Sequence, residues 1–225
     1  MKIATWNVER LKHYSRLSEI QDACRRVNAD IFVLTETDCR LRLNLPYVFE
    51  TPRLPGGAAL YAATENRVSI YSRYPILCCH KTFDENTAVC VELKTDVGSL
   101  FVYGTIIGVY GNRHPSFLPD LKKQMHDIAA LADTGANVCV CGDFNLSLSD
   151  GYYFTAAGRN ALLAQFSASG ISVLTQAQPE CIDHIAISTR LVEKHAVLVE
   201  EWNQDKRLSD HKGVSVALTT EEGGA

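Results

Sequence analysis

The chain has no C-x-x-C pair among its eight cysteines, at positions 24, 39, 78, 79, 90, 139, 141 and 181. That absence excludes a zinc ribbon and a thioredoxin-like redox centre. No apolar stretch is long enough to span a bilayer, and none resembling a signal-peptide core precedes or overlaps Lys2-Ile3-Ala4-Thr5-Trp6-Asn7. A membrane anchor is therefore not expected. Basic residues are not in surplus: Lys and Arg number 22 against 26 Asp and Glu, a net charge of −4. This excludes a protein that holds polyanions by bulk charge, while leaving room for a local basic rim around an acidic site. Fixed short repeats, low-complexity linkers and runs of like charge are missing too, which removes solenoid and tail-driven readings.

What remains is an ordinary globular composition, with 46% hydrophobic and 21% charged residues in 225. Residues 1–220 read as one domain and 221–225 as a frayed tail. Cysteines inside apolar runs, as in Val138-Cys139-Val140-Cys141, read as buried reduced thiols and point to a cytoplasmic setting.

Segments rich in Val, Ile, Tyr and Thr, bounded by Gly, Pro, Asn or Asp, predict strands over 2–8, 30–35, 58–62, 67–72, 87–95, 99–107, 137–142, 182–188, 196–202 and 213–218. Helical spacing predicts helices over 16–28 and 116–132, with a shorter one over 159–169. A β–α–β opening, a run of strands without helices, and a second α–β stretch suit an α/β fold. The expected form is a four-layer α/β sandwich, two packed mixed β-sheets flanked by helices.

Four strings stand where apolar runs begin or end. They are Ala4-Thr5-Trp6-Asn7, Leu34-Thr35-Glu36, Gly142-Asp143-Phe144-Asn145, and Ile182-Asp183 followed by Ser209-Asp210-His211. Strand alternation puts Ile3, Thr5 and Asn7 on one face, Phe32, Leu34 and Glu36 on one face, and Cys139, Cys141 and Asp143 on one face, with Asn145 following if the chain stays extended. Each apolar row would end in a polar group at a sandwich edge. Glu36, Asp143, Asp183 and Asp210 in one cleft would repel, by about 4 kcal/mol for a close pair at an effective dielectric near 20. A divalent cation relieves that repulsion, and hard oxygens without thiols favour Mg²⁺ or Mn²⁺.

Jointly and in this order the strings resemble the endonuclease/exonuclease/phosphatase superfamily, and the resemblance spans nearly the whole chain. It implies the same four-layer fold and a metal-dependent phosphoesterase. It also implies roles. Glu36 would bind the metal with help from Asn7, and Asp210 would sit near it. Asp143 would orient and deprotonate the attacking water, and Asn145 would steady Asp143 and a phosphate oxygen. His211 would face the phosphate, held by Asp183. Many relatives carry a Tyr or His at the end of the strand matching 99–107, over the phosphate. Here Ile107 or Tyr110 takes that place, with His114 a further candidate, and Tyr110 is favoured as catalytic. Arg113 and His114 are candidate substrate contacts.

Bland readings accompany these. His184 should point away from the site, packed or solvent-facing. Ser72-Arg73-Tyr74-Pro75-Ile76 reads as a strand end and proline turn. Tyr152-Tyr153-Phe154 could stack on bases, although packing is the commoner use. Arg40, Arg42, Arg53, Arg113, Lys206 and Arg207 read first as solvated charges. Trp202 reads as a packing residue with its indole N–H satisfied. The leading expectation is a nuclease-like phosphodiesterase acting on a phosphate ester, DNA or RNA included. The alternatives are a phosphatase of nucleotide, sugar or inositol monoesters, and a non-catalytic binding module. No protein partner is implied.

Overall fold

The computed structural model describes residues 1–54, 61–149 and 151–220. Two six-stranded mixed sheets stack face to face. The first has the order β11-β12-β1-β2-β4-β3, built from β1 (Lys2–Asn7), β2 (Ile31–Asp38), β3 (Tyr47–Glu50), β4 (Glu65–Ser72), β11 (Ala196–Trp202) and β12 (Gly213–Thr219). The second has the order β5-β6-β7-β8-β10-β9, built from β5 (Ile76–His80), β6 (Ala88–Thr95), β7 (Gly98–Ile106), β8 (Asn137–Asp143), β9 (Ile171–Val173) and β10 (Asp183–Ser188). Each sheet contains one parallel pair, β1 with β2 and β7 with β8, and its other pairs are antiparallel. Helix α1 (Leu17–Val27) crosses over between the first pair and α2 (Phe117–Asp133) between the second.

Alternation along the strands sorts side chains into three apolar layers. Ile3, Ile31, Val33, Val68 and Ile70 of the first sheet meet Val91, Val102, Cys139, Cys141 and Ile185 of the second. The other parity, Ala4, Trp6, Phe32 and Leu34, packs on Ile20, Ala23 and Cys24 of α1. On the far side Tyr103, Val138 and Val140 pack on Leu121, Met125 and Ile128 of α2 and on Leu162 and Phe166 of α3 (Ala156–Ala168). Helix, sheet, sheet, helix is the four-layer sandwich expected. Burial of these rows is the main stabilising term. Gly104 on β7 lets the sheets approach closely, since a Cβ there would lie 3.0 Å from both Val33 and Val68.

Nine of the ten expected strands form within a few residues of their predicted bounds. Most of 58–62 lies outside the described residues, as does the expected tail at 221–225, and Tyr61 and Ala62 are not in a strand. Strands β3, β5 and β9 and the one-turn helix α4 (Thr189–Val192) are additions to the prediction. The third helix begins earlier than its apolar spacing indicates because the Thr155 side chain caps it, accepting from the Gly158 N–H at 3.2 Å. All eight cysteines are free, but Cys78 and Cys79 are exposed on edge strand β5, so burial does not hold for every thiol.

Candidate active site

The parallel pairs bring their C-terminal ends to one edge of the sandwich, and the antiparallel β10 begins there. Asp183 is the register partner of Asp143, which places two carboxylates side by side across β10 and β8. Gly142 precedes Asp143 at φ +142, and a Cβ there would fall 1.9 Å from the Thr105 carbonyl oxygen. The glycine of Gly-Asp-Phe-Asn is thus required by the close approach of β7.

Asn7 and Asp143 sit at the ends of the inter-sheet rows, as parity predicts. Glu36 arrives differently. Phe32 and Leu34 face α1, so simple alternation would send Glu36 to the helix side. Instead Glu36 adopts φ +45, a left-handed residue inside β2 where the pairing with β4 skips from Thr35 to Thr37, and its carboxylate reaches Arg10, with Nε to Oε2 at 3.4 Å. Asn145 likewise has φ +51, so the chain does not stay extended past Asp143.

Asp143 is held on both oxygens. The Asn7 side chain donates to Oδ2 at 3.0 Å and the Asn145 backbone N–H to Oδ1 at 2.8 Å. The Asn145 side-chain amide donates to the carbonyl of Ile107 at 3.0 Å. His211 Nδ1 donates to Asp183 Oδ2 at 2.5 Å, and its Nε2 lies 3.6 Å from Asp210 Oδ1. The Ser-Asp-His loop is fastened to the end of β1. Ser209 Oγ donates to the Asn7 carbonyl at 2.6 Å, and the Trp6 indole donates to the His211 carbonyl at 3.1 Å. The Asp210 N–H donates to Glu9 Oε2 at 2.8 Å.

The electrostatics follow from burial. Burial pushes Asp143 up to about 6, assisted by Asp183 and opposed by His211. Burial also raises Asp183, Glu36 and Asp210, with the Asp143 charge adding to the rise at Glu36. For His211 burial acts downward, yet Asp183, then Asp143 and Asp210, outweigh it and lift the imidazole to about 10. His211 is therefore a cation at neutral pH. Ligand atoms of Asp143, Asp183 and His211 lie within 4.8 Å of one another. Without an ion the trio is a charge cluster of two carboxylates around one imidazolium, and its spacing is also one that can hold a metal ion.

The surrounding carboxyls have the chemistry of a hard-cation site. The carboxyls at 36, 143, 183 and 210 all resist ionising together, and Asp183 Oδ1 is buried with no hydrogen-bond partner. The one nearby thiol, Cys181, donates to the Asp183 carbonyl and is pushed far above its usual range by burial. It offers no thiolate to compete for a soft ion.

A cleft of about 260 Å³ opens here, lined by Asn145, Tyr152, Tyr153, Asp183, Asp210 and His211, among others. Tyr110 lies outside it, 75% exposed, with its ring 5.0 Å from that of His114. Arg113 and His114 are exposed in the same loop and do not line the cleft. Ile107 is buried against the α2 layer. His184 is fully buried between Thr175 Oγ1 (3.0 Å) and the Leu146 carbonyl (2.9 Å), and burial lowers it to about 4. It is packed, as its parity indicates. Trp202 does pack, edge-on to Trp6 and Phe32, but its buried indole N–H has no hydrogen-bond partner among the described residues, contrary to expectation.

Glu9 was not singled out by the sequence. It is buried and holds both the Asp210 backbone and Lys12. Its only signal is proximity, a carboxylate two residues past Asn7. Asn112, which donates to the Asn145 carbonyl at 2.7 Å, gives no sequence signal at all.

A sandwich whose two sheets meet over a cleft of acids, amides and one imidazolium defines a class of phosphoester-directed proteins. The sequence profile of the Endonuclease/Exonuclease/phosphatase family matches residues 4–211. The chain belongs to that family, and membership sets it among hydrolases of phosphate esters. The fold is shared with a 3'-5' exonuclease from Neisseria meningitidis at TM-score 0.70 and 18% identity, over 97% of this chain and 100% of that one. It is shared equally with an AP endonuclease from Archaeoglobus fulgidus, at TM-score 0.71 and 16% identity, over 97% and 99%. A third structure, described as a Neisseria 3' phosphatase bound to a product DNA hairpin, aligns at TM-score 0.68 and 18% identity over 97% and 99%. A search of curated protein sequences finds no match. Among the described residues no helix is long and apolar enough to cross a membrane.

Proposed function

We propose that the protein is a divalent-metal-dependent phosphodiesterase that hydrolyses nucleic-acid strands by in-line attack of water on phosphorus. The observation that carries this reading is the grip on Asp143. Both of its oxygens are hydrogen-bonded, and burial lifts it to about 6. A carboxylate so held is oriented and basic enough to take a proton from an attacking water near neutral pH. Asp183 fixes the His211 ring and keeps it charged, with the Nε2 edge available to a phosphoryl oxygen that gains charge in the transition state. The Asn145 side chain is committed to the Ile107 carbonyl, so it steadies the wall beside Asp143.

Glu36, Asn7 and Asp210 are the residues that would hold Mg²⁺ or Mn²⁺. When bound, such an ion neutralises phosphate charge and polarises the phosphoryl oxygen. Tyr110 is poorly placed to protonate a leaving group, and buried Ile107 is unable to. The free thiols suit a reducing, cytoplasmic setting.

A second reading, a phosphatase of terminal or small monoesters, draws support from the solved relative described as a 3' phosphatase. The test is cleavage of labelled DNA and RNA strands, and phosphate release from 3'-phosphorylated strands and nucleotides, with Mg²⁺, Mn²⁺ or EDTA. Strand cleavage that needs the ion and is lost in His211→Ala supports the proposal. Phosphate release without strand cleavage selects the second reading. Inactivity on every substrate with either ion refutes both.

A further inference from the structure

Aromatic side chains crowd the catalytic edge in an uneven way. Among the described residues the exposed aromatics are Tyr14, Tyr47, Phe83, Tyr110 and Tyr152. Tyr47 lies at the far end of its sheet, paired with Ser72 of β4, whereas the site end of β4 is Glu65, paired with Asp38 of β2. The other four follow strand ends on the catalytic side. Three of them carry a cation against the ring: Arg40 at 4.4 Å from Tyr14, Lys123 at 5.0 Å from Phe83, and Lys206 at 4.4 Å from Tyr152.

Two of these aromatics flank the proposed reaction centre. Tyr152, 48% exposed, lines the catalytic cleft. Tyr110 lines a second depression of about 310 Å³ together with Arg67, Phe83, Gly108 and Lys123. The two hollows share a wall. The Asn145 side chain, on the cleft side, donates to the carbonyls of Ile107 and Gly108. Behind it, Tyr153 of the cleft packs its hydroxyl against Gly111, next to Tyr110. The two hollows thus flank the Asn145 side chain, with Tyr152, Lys206 and His211 on one side and Tyr110, Arg67 and Lys123 on the other. Acids line both, Glu180 and Asp210 in the first and Asp84 and Asp120 in the second.

We infer that these two hollows bind single-stranded nucleic acid, with unpaired bases stacking on Tyr152 and Tyr110 on either side of the scissile phosphate. The inference rests on the phosphodiesterase reading and adds the substrate's strandedness. Aromatic faces with neighbouring cations suit a strand whose bases are free to stack, whatever their sequence. A duplex keeps its base faces inside the helix and offers them to neither tyrosine. The net charge of −4 leaves little bulk attraction for a duplex backbone, so stacking must supply a large part of the affinity. Tyr110 then acts through its ring and not its hydroxyl.

The test measures fluorescence anisotropy of a labelled 12-nucleotide strand, its duplex, and an abasic strand of equal length, with the Asp143→Asn protein in Mg²⁺. Wild-type protein in EDTA provides the same comparison should that variant fail to fold. The base-bearing strand binds at least about tenfold tighter than either competitor. Tyr110→Ala and Tyr152→Ala each weaken it by about 5- to 100-fold, while Tyr110→Phe and Tyr152→Phe keep it. Equal binding of duplex or abasic strand, or unchanged binding by both alanine variants, overturns the inference. Hydrolysis of methyl p-nitrophenyl phosphate, which has no base, is followed in parallel. If it persists while strand preference is absent, only the stacking claim falls. If it is absent in the wild type, the catalytic reading falls first.

Discussion

The two parallel strand pairs are built alike and end differently. In the first sheet β1–α1–β2 delivers Asn7 and Glu36, and in the second β7–α2–β8 delivers Asp143. Glu36 sits at a left-handed break inside its strand, which resumes pairing at Thr37, and its side chain is 36% exposed and paired to Arg10. Asp143 continues an extended inner row, 3% exposed and bonded on both oxygens. One supersecondary unit thus yields a reachable carboxylate suited to an exchangeable ion and a buried one suited to moving a proton. The difference lies in the backbone at Glu36, left-handed where Asp143 stays in its extended row, and on the proposed reading it divides metal binding from proton transfer.

If that division is right, removing each carboxylate fails in its own way. The largest effect belongs to Asp143→Asn, which keeps the shape but removes the base. Its kcat falls by about 10²- to 10⁴-fold, and added Mg²⁺ does not restore it. Steady-state kinetics across a metal series checks this. Recovery at high Mg²⁺ would mean that Asp143 is chiefly a ligand and that the two ends are equivalent after all.

Next in size is a pH effect confined to the second sheet. His184 is buried neutral, its value lowered to about 4 from 6.5. The unfolded chain takes up that proton as pH falls below 6.5, so the stabilisation is full above 6.5 and lost progressively towards pH 4. It amounts to at most about 3 kcal/mol. Asp143 has the opposite sign. Its folded value is raised to about 6, so acid relieves its buried charge and returns stability between pH 6 and 4. Denaturant unfolding at pH 7 and pH 4.5 in EDTA separates the two. His184→Gln flattens the acid loss, and Asp143→Asn steepens it. Identical slopes in all three proteins would show that neither group titrates as its burial requires.

The same contrast explains what the sequence revealed. The central strands were legible because inter-sheet rows such as Ile31 and Val33, or Cys139 and Cys141, carry a strong apolar signal. The missed strands β3, β5 and β9 are all sheet edges, short and partly solvated, where neither alternation nor composition is enforced. At the site, the direction of Asp143 could be anticipated because an extended strand preserves parity, whereas Asp183 was expected from the family resemblance. Glu36 came within electrostatic reach of Asp143 and His211 for a reason parity does not contain, the left-handed turn at its own α-carbon. Tyr110 was legible as a residue near the site but not in its direction, because loop geometry past β7 has no periodic code. Glu9 and Asn112 act by bonding backbone groups of distant loops, a relation only three-dimensional closure creates.

The subtlest consequence concerns Arg10. Its ion pair with Glu36 is partly exposed, so solvent screening holds it to less than about 1 kcal/mol of stability. Arg10→Ala should scarcely move the unfolding midpoint. Its effect on metal uptake has a clearer direction. The guanidinium holds a carboxylate that the cation also needs, and its charge repels the ion. Removing it lowers the half-saturating Mg²⁺ concentration by about 2- to 5-fold, the scale of a screened pair. Glu36→Gln moves the same quantity the other way, by about 10- to 100-fold, and Glu36→Gln with Arg10→Ala should show no further gain from losing the arginine. Isothermal titration with Mg²⁺ measures all three. A gain that survives in the double variant would mean that Arg10 acts on the ion through another carboxylate, and Glu36 would lose its place as the ligand for which the arginine competes.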